Sequence, residues 1–138
     1  MWTLFFLIDL SVARPRPSSP LIHVFIPEPI PTFPSGHVVY AVVYYGFLLY
    51  LSLTKPVSQW RYRWLLIPFQ LYAALNILLI GYSRVYEGSH WLTDVLGGYL
   101  MGALLLALLI FLYRWTLDRL TKRRSRRLLE KSAYNQQA

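Results

Sequence analysis

No cysteine occurs anywhere in the chain, which excludes disulfides, zinc thiolate sites and thiol nucleophiles. Carboxylates are also scarce: six Asp and Glu stand against 14 Lys and Arg, with three His. The first apolar run, from Trp2 to Ile8, has neither a basic leader nor a small-residue cleavage site, so it does not read as a signal peptide. Charge of either sign is missing from long stretches after residue 37. What fills those stretches is apolar. Of the 138 residues, 56% are hydrophobic and 17% aromatic, which is too apolar for a soluble domain of this size and reads as an integral membrane protein. The formal net charge of +8 is local, because residues 114–131 hold eight basic and two acidic side chains. That distribution is not a diffuse nucleic-acid footprint, and no nucleic-acid partner is expected.

The lengths of the apolar runs predict an all-α transmembrane bundle with three full spanning helices, at 37–54, 64–82 and 91–113, preceded by a short helical stump. As a helix the stump, residues 1–13, would reach roughly 20 Å, against a hydrocarbon core of roughly 30 Å. It reads as the end of a spanning helix whose upstream part is missing; a re-entrant or interfacial helix is the other reading. Residues 14–36 hold seven of the nine prolines and must form an extended loop outside the bilayer core. His23 and Glu28 read there as solvated loop residues. In the second span, Pro68 belongs in the first turn and Asn76 is a candidate to bond a neighbouring helix.

The third span carries Gly98-x-x-x-Gly102, read as close packing within the bundle. It also carries Asp94, the one acid in any full span, which at that cost should be paired and functional. Residues 1–113 thus form the membrane domain, and 114–138 a basic helical tail with Trp115, Leu117, Leu120, Leu128 and Leu129 interleaved. Both a surface for anionic headgroups and a plain topology anchor fit that pattern. Basic residues face the cytoplasm, so the tail and the connection 55–63 are expected there. The loop 14–36 and the turn 83–94 then share the extracytoplasmic face.

Three distant segments converge on that face: Arg14 and Arg16, Ser35-Gly36-His37, and Arg84 with His90 and Asp94. On a helix from about Ser89, His90 and Asp94 stand four residues apart on one face, so the carboxylate can hold one imidazole nitrogen while the other faces outward. Ser35 is a candidate N-cap, and the helix start after it offers backbone N–H groups to an anion. This set fits phosphoryl transfer. His90 attacks phosphorus, His37 protonates the leaving oxygen, and Arg16, Arg84, the Ser35 hydroxyl and the Gly36 amide hold the equatorial oxygens. The cluster has no group of carboxylates for magnesium, so metal-free chemistry is expected.

These residues, in this order, resemble the type 2 phosphatidic acid phosphatase superfamily. Its three motifs are lysine, six residues, Arg-Pro; Pro-Ser-Gly-His; and Ser-Arg, five residues, His, three residues, Asp. The second stands complete as Pro34-Ser35-Gly36-His37, and the third as Ser83-Arg84 through His90 to Asp94. The first is partial. With Arg16-Pro17 the lysine position is Asp9, and with Arg14-Pro15 it is Leu7. The resemblance covers about residues 10–113. It implies His90 as nucleophile, Asp94 as its orienter, His37 as acid, and Arg16, Ser35, Gly36 and Arg84 as the phosphate cradle. A six-helix fold is also implied, of which this chain carries the last three helices.

The expected function is hydrolysis of a lipid phosphomonoester or pyrophosphate, such as phosphatidic acid, phosphatidylglycerol phosphate or a polyprenyl pyrophosphate, without cofactor or metal. A truncated relative that binds phosphorylated lipid or a partner protein without turnover is the alternative, favoured by Asp9 and the short N-terminus. Vanadate-dependent peroxidase chemistry is a third reading, which three long spans fit poorly. The partners expected are the phosphorylated lipid, the bilayer and, should another copy supply helices, an oligomer.

Overall fold

The computed structural model describes residues 11, 12, 14–17, 32–55 and 57–137, with side chains as far as Leu129. Among these residues three long α-helices follow in chain order: α1, Gly36–Leu53; α2, Ile67–Tyr86; and α3, Leu92–Gln137. No strand occurs among the described residues. All three helices are long and apolar enough to cross a membrane, with mean hydropathies of 1.5, 1.8 and 2.5 over their apolar windows. The all-α architecture with three helices of spanning length is therefore as expected. The N-terminal stump lies outside the described residues except for Ser11 and Val12, which are helical, and Asp9, His23 and Glu28 also lie outside them.

The connection between α1 and α2 contains two short 3-10 turns, Val57–Gln59 and Arg63–Leu66. Pro68 then occupies the first turn of α2, where its missing N–H leaves no helical bond unmade. Two expectations need correction here. Asn76 does not reach a neighbouring helix; its Nδ2 donates to the Tyr72 carbonyl at 2.9 Å, one turn back in the same helix. Ser83 and Arg84 do not lie in the connecting turn but in the last turn of α2. There the Ser83 hydroxyl donates back to the Ile80 carbonyl at 3.0 Å, and Arg84 pairs with Glu87 at 2.8 Å. Both contacts suit a helix and extend it past the expected end.

What stops α2 is Gly88, whose φ of 67° lies in the left-handed region that glycine enters without a Cβ clash. The Gly88 N–H bonds the Val85 carbonyl at 3.0 Å and the Ser89 N–H bonds the Arg84 carbonyl at 3.1 Å, the paired closure of a Schellman cap. The cap turns the chain straight into α3, whose N-cap position is Trp91. Asp94, in its first turn, reaches back to accept the Trp91 N–H at 2.9 Å, half of a capping box.

The chain divides into two compact units, Met1–Leu106 and Ala107–Ala138. In the first, α1 meets α3 through glycine. A Cβ on Gly98 would lie 3.0 Å from the Val38 Cβ, and one on Gly102 2.8 Å from the Val42 Cβ. The Gly98-x-x-x-Gly102 spacing thus serves helix packing within the bundle, where close backbone approach supplies the dispersion contacts that lipid cannot. Val38, Val42 and Val95 are buried at that junction, with Ile77, Ile80, Tyr99 and Leu106 packed around them. Helix α2 meets α3 where Gly81 faces Val95 and Tyr99, and the Tyr99 hydroxyl donates to the Ile77 carbonyl at 2.6 Å. Helix α1 is tied to α2 by Gln70 Nε2 donating to Ser52 Oγ at 3.1 Å. In a bilayer such polar groups have no water to turn to, so each pairs internally. The second unit is the basic distal part of α3.

Candidate active site

The α2–α3 corner and the segment entering α1 are joined by a small set of hydrogen bonds. At the corner, both the Ser89 and His90 N–H groups fall on the Arg84 carbonyl, at 3.1 and 3.3 Å. Five residues between Arg84 and His90 is therefore the length the Schellman turn consumes. Opposite, the Ser35 N–H donates to the Asp94 carbonyl at 3.1 Å, which seats the start of α1 against the start of α3. Gly98 permits that approach: a Cβ there would come within 3.0 Å of the Ser35 carbonyl oxygen.

His90 is buried, at 6% exposure. Its Nδ1 lies 2.9 Å from the Thr32 carbonyl oxygen. A carbonyl only accepts, so Nδ1 carries the proton, and in the neutral ring Nε2 holds the lone pair. The expected hydrogen bond to Asp94 is not made in this arrangement, since Asp94 Oδ2 stands 4.0 Å from Nδ1, beyond hydrogen-bond reach. The helix expected from about Ser89 starts only at Leu92, so His90 precedes it and helical spacing does not hold the pair; Oδ2 is engaged by the Trp91 N–H and Oδ1 by Arg14 Nη1 at 2.8 Å. Asp94 is fully buried. Its charge is thus met by a guanidinium and a helix N-terminus, which are what a carboxylate needs away from water.

Arg14 is the residue that reasoning from the sequence undervalued. Besides Asp94 it donates to Thr93 Oγ1, and its guanidinium carbon lies 5.6 Å from the centroid of the Trp91 ring. The Trp91 indole N–H in turn bonds the Pro15 carbonyl at 3.0 Å, and the Thr32 N–H bonds the Arg14 carbonyl at 3.3 Å. Segment 14–17 is therefore stitched both to α3 and to the residue that orients His90. The signal available was the doubled Arg-Pro; spacing to an upstream lysine could not choose between the two. Arg16 belongs to the same cluster, with Nη1 donating to the Ser89 carbonyl at 2.8 Å.

Ser35 occupies the N-cap position of α1 without making a side-chain cap bond. Its Oγ and the Nε of Arg84 are buried with no hydrogen-bond partner among the described residues. Buried polar atoms are nearly always satisfied, so each of these is a donor open to an oxygen-rich ligand. Gly36 and His37 form the first turn of α1 and are both exposed. Six of the seven expected site residues, Arg16, Ser35, Gly36, Arg84, His90 and Asp94, are linked here through contacts or adjacent backbone. His37 follows on the same helix start and is exposed.

Comparison with known proteins gives matches of sequence and of fold. The profile of the PAP2 superfamily matches residues 3–119. Phosphatidylglycerophosphatase B of Bacillus subtilis is 36% identical over 100 residues, covering 68% of this chain and 43% of the relative. An undecaprenyl-diphosphatase of Sulfolobus acidocaldarius is 35% identical over 95 residues, covering 67% of this chain and 40% of the relative. This chain therefore spans less than half the length of either. Among solved structures, a transmembrane PAP2 type phosphatidylglycerolphosphate phosphatase from Bacillus subtilis superposes with a TM-score of 0.65 at 28% identity, over 81% of this chain and 53% of that one.

Proposed function

This chain belongs to the PAP2 superfamily, and on that premise we propose that it is an integral membrane phosphatase acting on a lipid phosphomonoester or pyrophosphate through a phosphohistidine on His90. The observation that carries the reading is the 2.9 Å contact from His90 Nδ1 to the Thr32 carbonyl. It assigns the lone pair to Nε2, the nitrogen then able to attack phosphorus.

As the P–N bond forms, the P–O bond to the lipid breaks, and the departing oxygen takes its proton from His37. Water then attacks the phosphohistidine, His37 removes its proton, and the P–N electron pair returns to Nε2 as inorganic phosphate leaves. The imidazolium formed in the first step keeps its Nδ1 proton on Thr32, with the Asp94 charge beside it. Arg16, Arg84, Ser35 Oγ and the Gly36 N–H hold the equatorial oxygens while charge redistributes. No step in this scheme calls for a metal.

The relatives' names supply two candidate substrates, phosphatidylglycerol phosphate and a polyprenyl diphosphate, and phosphatidic acid offers the same monoester. The excess of basic residues in the tail and in the connection 55–63 supports a cytoplasmic side for both, with the site facing the other side. Domain 1–113 carries the chemistry, with 114–138 as its tail. The test is phosphate release from the three lipids by the purified chain in detergent, with EDTA present. Release that His90→Ala reduces on the order of 10³-fold or more is expected. Turnover unchanged in that variant would sink the mechanism, and turnover abolished by EDTA would sink its metal independence.

A further inference from the structure

The distal part of α3 takes no part in that chemistry, yet it holds the densest charge in the chain. Leu120, Arg123, Arg124, Arg127 and Leu128 line one shallow groove. Their spacing of three, four, seven and eight places them along a single helical stripe, and Leu117 falls on the same stripe one turn earlier. Asp118, the acid among them, falls on the opposite side by the same count. Leu117, Leu120 and Leu128 are 43%, 56% and 60% exposed, and the three arginines are exposed too. Nearby, the Arg119 guanidinium carbon lies 3.9 Å from the centroid of the Trp115 ring, joining a cation to an aromatic of the kind that settles at headgroup level.

A stripe with cations at its centre and leucines at both ends matches one partner chemistry in particular. Arginine forks take phosphate oxygens two at a time, while exposed leucines next to them favour the edge of the acyl region. Soluble anions would satisfy the first and leave the second in water. The groove also lies on a helix whose earlier residues form the most apolar of the three candidate spans, so a bilayer surface is within reach of it. We propose that this face of α3, centred on Arg123, Arg124 and Arg127, binds the headgroups of anionic phospholipids at the membrane surface as a non-catalytic lipid site. It holds the tail against an anionic leaflet, and it does so whether or not His90 turns over substrate.

The absence of cysteine permits a clean test. Leu128→Cys, on the stripe, and Leu129→Cys, on the opposite side, are each spin-labelled in the whole chain and reconstituted into vesicles of zwitterionic lipid or of zwitterionic lipid with about one-third phosphatidylglycerol. Collision with a water-soluble nickel chelate and with oxygen reports depth. In anionic vesicles the label at 128 should be shielded from nickel and the label at 129 should stay accessible; in zwitterionic vesicles both should be accessible. Each basic residue near an anionic surface favours association by roughly a factor of five, so Arg123→Gln/Arg124→Gln/Arg127→Gln should lower the surface-held population about 100-fold and restore nickel access at 128. The corresponding triple lysine variant should retain most of the protection, and 0.5 M salt should weaken it. Protection at 128 that is equal in both vesicle types and indifferent to the glutamines would overturn the proposal, as would protection by an added soluble polyanion but not by anionic lipid.

Discussion

Arg14→Gln removes the guanidinium that meets the buried charge of Asp94 and leaves a shorter, neutral, polar side chain. Breaking a buried pair by deleting one partner costs about 3 to 5 kcal/mol where no water can enter. Here the Asp94 side chain is fully buried but that of Arg14 is 35% exposed, so water can recover part of the loss. The Trp91 N–H stays on Oδ2. The cation over the Trp91 ring, at 5.6 Å, adds about 0.5 to 1 kcal/mol at an exposed site. Together these give a destabilisation of about 2 kcal/mol. Asp94→Asn removes the same attraction from the other side, and the double variant should lose little beyond either single change. The coupling energy is expected at about 1 to 2 kcal/mol. Reversible unfolding in detergent, followed by tryptophan fluorescence across wild type, both singles and the double, measures it. Effects that add to within about 0.5 kcal/mol would show that the two residues act independently and refute the pairing.

Gly98→Val brings a branched side chain against the Ser35 carbonyl and the Val38 Cβ, both at 3.0 Å from the position a Cβ would take. Overpacking of this kind costs about 1 to 3 kcal/mol, and relief by moving Ser35 off Asp94 should lower phosphate release as well; full activity and stability would contradict the close approach. Gly88→Ala forces a Cβ into the φ of 67° at about 1 to 2 kcal/mol, whereas Gly88→Asn, better suited to left-handed backbone, should cost less. Unfolding midpoints of the two variants check the order, and equal stability of alanine and glycine there would deny the Schellman turn.

The helices were legible because a bilayer-length apolar run has few alternatives once every backbone polar group must bond within its own segment. Pro68 and the Gly98/Gly102 pair were legible for similarly local reasons, a missing N–H and a missing Cβ. The same locality misled at the corner. Ser83 and Arg84 look like turn residues in a row of polar letters, yet the helix holds them, because one left-handed glycine at 88 decides where the helix stops. Asn76 failed for the opposite reason, its partner being closer than the sequence suggests.

Residue types and spacing were enough to determine that His90, Asp94, Arg84 and the Ser35 helix start belong to one end of the bundle. Which atoms meet was settled by tertiary structure. The imidazole proton rests on the Thr32 carbonyl and Asp94 rests on Arg14, residues 58 and 80 positions away. Side-chain spacing along one helix says who could touch; hydrogen bonds between segments are decided by how closely the backbones approach, and here glycine at 98 and the cap at 88 set that distance.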